Sequence, residues 1–183
     1  QEILAADGVV LPGVGAYSHG MEKLKEHSLD CILKKFSAMG KPVLGICLGM
    51  QLLFSESNEF GYAEGLGLVP GSVKELQLLN PEVQNLPHIS WSELELPSEG
   101  AWDGTILEGI APQEDMYFIH SFMAAPDNND HVLSLTTYSD CQFCSLVRNE
   151  NVYGCQFHPE KSAEEGLKII ANFIRICEVD TNG

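Results

Sequence analysis

Apolar residues fall along the chain in short runs whose spacing changes from one segment to the next. Residues 7–11 end in Val9-Val10-Leu11 and predict a strand, with Pro12-Gly13-Val14-Gly15 as a tight loop behind it. Residues 17 to about 39 carry Met21, Leu24, Leu29, Ile32, Leu33 and Phe36 at near-helical spacing, and Gly40 supplies the stop. Residues 42–46 form a second apolar strand that runs through Cys47 into a short helix over 49–54. Strand, helix, strand and helix in that order imply a right-handed crossover and a parallel sheet.

Beyond Gly61 the runs shorten. Residues 73–79, 90–96, 116–122, 131–138 and 144–148 predict further strands, while the polar, Gly- and Pro-punctuated stretch 97–115 predicts a surface excursion. Asn149-Glu150-Asn151 predicts a hairpin turn into residues 152–157. The last element, residues 162–177, predicts an amphipathic helix with Leu167, Ile170, Ala171 and Ile174 on its apolar face and Glu164 and Glu165 in its first turn.

A length of 183 residues suits one domain over 1–183 with a substantial core. Charge narrows the partners: 26 acidic against 10 basic side chains give a formal net charge of -16, which repels phosphate backbones and anionic lipid. Neither nucleic acid nor a membrane surface is expected as a partner. The first residues lack the basic-then-apolar order of a signal peptide, so a cytoplasmic setting is the default. The six cysteines are therefore read as free thiols, and Cys141-x-x-Cys144, lacking a second such pair, as buried small residues in preference to a metal or redox site.

Gly45-Ile46-Cys47-Leu48-Gly49 changes the picture, because Gly-x-nucleophile-x-Gly between a strand and a helix is the pattern of a nucleophile elbow. A sharp turn leaves no room for side chains two residues either side of the nucleophile. The helix that follows aims its N–H groups at the sulfur and is expected to favour the thiolate. A cysteine also needs a base, and His158, directly after an apolar strand, is the best placed, with Glu160 two residues on to hold its tautomer. The other histidines, at 19, 27, 88, 120 and 131, lack such a combination, although His120 also ends an apolar run.

GICLGMQ at 45–51 together with QFHPE at 156–160 resembles the class I glutamine amidotransferases. PGVG at 12–15, LGMQLLF at 48–54, PHISW at 87–91, YFIHSF at 117–122 and HPEKS at 158–162 resemble the branch of that family that serves as the glutaminase subunit of imidazole glycerol phosphate synthase. The resemblance implies a flavodoxin-like α/β fold, an open and mostly parallel sheet flanked by helices, with the opening strand and helix of that fold missing before residue 1. It implies a Cys47–His158–Glu160 triad, an oxyanion hole built from backbone at Leu48 and at Val14 or Gly15, and glutamine binding by Gly13, Gln51, Glu59, Ser121 and Phe122. It calls for no cofactor and no metal. It further implies a (β/α)-barrel cyclase as partner, docked near Trp91 and Lys161, which takes up the ammonia.

Ser90 and Ser92 stand where that branch commonly has Gly and Asn, and residues 143–162 also resemble glutaminases that serve surface-polysaccharide sugar pathways. A glutaminase for such an acceptor, a cysteine hydrolase with its own substrate pocket and a catalytically silent interaction module on the same fold are the alternatives. An α/β-hydrolase places its acid before its histidine, whereas Glu160 follows His158.

Overall fold

The computed structural model describes residues 2–78 and 86–180. A first short helix, α1 (Glu2–Ala5), leads into β1 (Val9–Gly13), and α2 (Tyr17–Glu26) and α3 (Leu29–Ala38) carry the chain to β2 (Val43–Cys47) and α4 (Leu48–Leu52). There follow β3 (Phe54–Ser57), β4 (Ala63–Glu64), β5 (Val69–Glu75), β6 (His88–Glu93), β7 (Asp115–His120) and β8 (Phe122–Pro126). The chain closes with β9 (Val132–Tyr138), β10 (Cys141–Asn149), β11 (Val152–Cys155) and α5 (Ala163–Asp180).

The main sheet runs β1-β2-β11-β10-β8-β5-β3-β4, with β9 paired to β10; β6 and β7 form a separate two-stranded ribbon. Parallel pairing holds for β1-β2-β11, the part that carries the nucleophile, and again for β3-β5. The strands between them pair antiparallel, so the sheet is mixed, parallel where the first crossover builds it and antiparallel where hairpins extend it. Every residue of β2 is buried. Leu44 and Ile46 join the core beneath α5 with Ile169 and Phe173, while Val43 faces the core beneath α2 to α4 with Tyr17, Phe36 and Met50. Two covered faces therefore explain the continuous apolar run of the second predicted strand.

Several sequence expectations are corrected. The single helix over 17–39 is two, because the apolar rhythm steps by five from Leu24 to Leu29; Ser28, at φ 56, breaks the helix and resets its phase so that Leu33 and Phe36 reach the same core as Met21 and Leu24. The helix predicted over 49–54 stops at Leu52, and Phe54 opens β3. The strand predicted over 73–79 begins at Val69 and gives way to a 3-10 turn, Leu76–Leu78; Leu79 lies outside the described residues. The strand predicted over 116–122 is two strands, one in each sheet, that part at Ser121.

Residues 97–114 have turns and no regular element, and Asp115 already opens β7, yet the stretch is not a surface excursion. They bury Trp102, Ile106, Leu107 and Ile110 in the core beneath α5. Trp102 Nε1 donates to the Leu133 carbonyl at 2.8 Å, and Asn172 Nδ2 donates to the Ile106 and Glu108 carbonyls at 3.0 and 2.9 Å. The buried face of α5 is Ile169, Phe173 and Cys177; Leu167 and Ile174 are exposed, opposite to expectation.

Candidate functional site

β2 delivers Cys47 to the end of the sheet at φ 55 and ψ -113, a left-handed conformation that a side chain rarely adopts and that turns the strand abruptly into α4. The flanking glycines are required by space. A Cβ on Gly45 would lie 2.6 Å from the Gly49 carbonyl oxygen, and one on Gly49 would overlap the Leu11 carbonyl. Parallel register sets Gly13 of β1 opposite Cys47, so the loop through Val14 and Gly15 emerges beside the sulfur.

The Cys47 thiol is buried, donates to the Ile119 carbonyl at 3.8 Å and faces the side-chain N–H of Gln156 at 3.9 Å. Burial pushes its pKa up to about 11, against the opposing pull of the Leu48 N–H; the nearby Glu160 adds to the rise and Lys161 offsets part of it. The expected thiolate is thus corrected to a resting thiol. α4 is five residues long, and its first N–H does not compensate for taking the sulfur out of water.

His158 follows β11 by three residues and begins the 3-10 turn Pro159–Lys161, in which the proline fixes φ at the first position. Its Nδ1 lies 2.7 Å from Glu160 Oε1; the ring is buried and the carboxylate side chain is 44% exposed. A closed set of bonds ties this turn to β7. The His158 N–H donates to the Tyr117 carbonyl at 2.9 Å, the Tyr117 N–H donates to Ser162 Oγ at 3.0 Å, and that hydroxyl donates to the His158 carbonyl at 2.6 Å. His158 Nε2 is buried with no hydrogen-bond partner among the described residues. A buried ring nitrogen without a partner is costly unless something else arrives to meet it.

Cys47 and His158 line one cavity of about 340 Å³. Val14, Gly15, Leu48, Gln51, Glu59, Ser121 and Phe122 also line it, all residues singled out in the sequence. Glu59 accepts the Tyr17 backbone N–H at the start of α2 at 2.7 Å, which fixes a buried carboxylate at the cavity wall. Gly13, Glu160, Trp91 and Lys161 stand outside the lining. Trp91, 50% exposed on β6, packs beside Tyr117 at 6.0 Å between ring centroids, and Lys161 is exposed next to Glu160.

Phe60, Pro87, Ile119 and His120 complete the cavity wall and were not singled out from the sequence. For His120 the available signal was its position at the end of an apolar run. Cys141 and Cys144 are both buried but belong to different cores, on opposite faces of β10, so the two thiols cannot share one ion.

An open α/β sheet that presents an elbow cysteine and a carboxylate-bound histidine to one cavity defines a class, and the glutamine amidotransferase class-I family model matches residues 1–177; the chain belongs to that family. Among its relatives, the imidazole glycerol phosphate synthase subunit HisH 1 of Legionella pneumophila (strain Lens) is 47% identical over 96% of this chain and 84% of its own length. The subunit HisH of Bacillus cereus (strain G9842) is 42% identical over 97% of this chain and 80% of its own. A crystal structure of a glutamine amidotransferase shares the fold, with a TM-score of 0.67 at 19% identity, covering 94% of this chain and 79% of the other. The chain is therefore a glutamine amidotransferase with the flavodoxin-like architecture of that class. No helix among the described residues is long and apolar enough to cross a membrane.

Proposed function

We propose that this chain hydrolyses glutamine to glutamate and ammonia through Cys47, His158 and Glu160, and delivers the ammonia to a (β/α)-barrel synthase subunit that forms imidazole glycerol phosphate in histidine biosynthesis. The observation that carries the reading is His158: Glu160 holds Nδ1 at 2.7 Å, which leaves Nε2 as the acceptor in the cavity that also contains Cys47.

The chemistry runs in two halves. The thiol proton passes to His158 Nε2 as the sulfur bonds to the side-chain amide carbon of glutamine, and the carbonyl electrons move to oxygen. Leu48 and the Val14–Gly15 backbone supply N–H groups to that oxyanion. His158 then gives its proton to the departing nitrogen, the C–N bond breaks, and ammonia leaves a glutamyl thioester. Water adds to the thioester with His158 as base, and the C–S bond breaks to regenerate the thiol. Glu160 stabilises the imidazolium that forms in each half. Glu59 takes the substrate ammonium, while Gln51, Ser121 and Phe122 hold the rest of the amino-acid end.

A resting thiol with a pKa of about 11 fits this sequence, because deprotonation is then coupled to the arrival of substrate. The relatives named above as synthase subunits support the acceptor. Exposed Trp91, beside Tyr117, and exposed Lys161, in the turn whose His158 N–H reaches the Tyr117 carbonyl, supply an aromatic anchor and a cation for docking.

The test is covalent capture. A glutamine-derived electrophile is added and the protein digested; mass addition on the Cys47 peptide, blocked by excess glutamine, is the expected result. Addition on another cysteine, or addition indifferent to glutamine, removes the assignment.

A further inference from the structure

The Phe122 carbonyl oxygen accepts two hydrogen bonds, from His120 Nδ1 at 2.8 Å and from Gln51 Nε2 at 3.0 Å. A carbonyl only accepts, so this one atom sets the direction of every bond beyond it. On one side His120 carries its proton on Nδ1, and Nε2 must accept; it meets His88 Nδ1 at 2.9 Å. His88 therefore carries its proton on Nδ1 and accepts at Nε2, where the hydroxyls of Ser90 and Ser92 lie at 2.8 and 3.0 Å. Burial holds both rings neutral at pH 7, with His88 lowered to about 4 and His120 to about 3, as this donor order requires.

On the other side, the second N–H of Gln51 donates to Gln156 Oε1 at 3.0 Å. With its oxygen committed to Gln51, Gln156 turns its own Nε2 toward Cys47 Sγ at 3.9 Å. Gln51, Gln156, His88 and His120 are all buried, so none of these groups has water as an easy substitute.

We propose that Gln156 and the His88–His120 pair are positioning residues for the Cys47 thiol, joined to it in one hydrogen-bonded chain that starts at Ser90 and Ser92 on β6 and passes through the Phe122 carbonyl, on which both arms converge. The proposal rests on Cys47 being the nucleophile. Its physical content is that each bond has one allowed direction, with His120 and Gln51 both donating to the Phe122 carbonyl, and that no group is spare. Without the two hydroxyls, His88 can exchange its tautomer, which turns two lone pairs toward each other at His120 or at the Phe122 carbonyl. That carbonyl then moves, Gln51 loses a partner, and the N–H that faces the sulfur is no longer held. Ser90 and Ser92 are half-buried and lie outside the cavity, so they act on the thiol only through these links.

The experiment follows alkylation of Cys47 by iodoacetamide from neutral to alkaline pH, resolved by peptide mass spectrometry, with the exposed Cys31 as the reference inside each sample. In the double variant Ser90→Ala, Ser92→Ala we expect Cys47 to react roughly two- to tenfold more slowly, with its pH profile displaced to the alkaline side and Cys31 unchanged. The double variant Ser90→Thr, Ser92→Thr keeps both hydroxyls and recovers the rate. Gln156→Glu keeps the acceptor for Gln51 but removes the N–H at the sulfur, and displaces the profile further. An unchanged Cys47 profile in both the alanine and Gln156→Glu variants overturns the proposal, as does an equal loss in the threonine variant. Alkylation needs no glutamine, so failure of the glutaminase reading is seen separately, as retained glutamine hydrolysis in Cys47→Ala.

Discussion

His158 Nδ1 and Glu160 Oε1 are 2.7 Å apart across a single proline, with the imidazole buried and the carboxylate partly in water. The carboxylate can therefore fix the ring and answer its charge without itself being starved of solvent. Its effect belongs to the transition state, where the imidazolium forms. Glu160→Gln is expected to lower kcat for glutamine hydrolysis roughly a hundred- to ten-thousandfold with little change in KM. A raised KM at unchanged kcat, read from steady-state kinetics, would mean that Glu160 binds substrate instead.

Cys47→Ala is expected to remove glutamine hydrolysis while the thermal midpoint moves by only a few degrees, since the lost sulfur leaves a small void in a wall that already faces a cavity. Ammonia release at the wild-type rate would contradict the assigned nucleophile.

Gly49→Ala should fail for a different reason. The added methyl overlaps the Leu11 carbonyl of β1, and neither backbone can give way without unpairing the strand. We expect a loss of about 3 kcal/mol or more, measured by denaturant unfolding. A variant as stable as the parent would show that the elbow is looser than its contacts indicate.

These two positions also show what could be read before the fold was known. A nucleophile elbow is a local backbone demand, so Gly45, Cys47 and Gly49 announce it within five residues. The His-Pro-Glu turn is equally local. By contrast, α5 carries apolar residues on two sides, and Leu167, Ile170 and Ile174 repeat as regularly as Ile169, Phe173 and Cys177. Periodicity could not choose between them; only the sheet beneath does. Trp102 and Ile106 likewise sit in a polar stretch whose burial depends on Leu133 and Asn172, partners far along the chain. His88 and His120 meet only because β6 and β7 pair with those two residues opposite each other.

Acid should weaken this protein through the same histidines. Both have pKa values below the ordinary 6.5, so as pH falls past that value the unfolded chain takes up protons that the folded chain refuses. Stability is full above about 6.5 and is lost progressively toward the folded values of about 4 and about 3. Thermal midpoints should drop from pH 7 to pH 5, and drop less steeply in His88→Gln, His120→Gln. Equal slopes in variant and parent would place the acid sensitivity elsewhere.

Docking of the synthase subunit should depend on Trp91 and Lys161. Trp91→Ala is expected to weaken the complex by about 2 kcal/mol, roughly thirtyfold, and Lys161→Ala to slow association more at low salt than at high. Titration calorimetry and stopped-flow mixing read these separately; unchanged affinity in both variants would move the interface to another face.

The chain holds two tryptophans, and their surroundings could hardly differ more. Trp102 is 5% exposed, its indole N–H given to the Leu133 carbonyl, while Trp91 stands half in water beside Tyr117. The molecule thereby contains its own pair of optical probes. A dissolved quencher will find one indole and miss the other, so the quenchable share of the emission reports on the β6–β7 ribbon, and the remainder on the interior. Covering the ribbon should silence only the first signal; melting the core should expose the second.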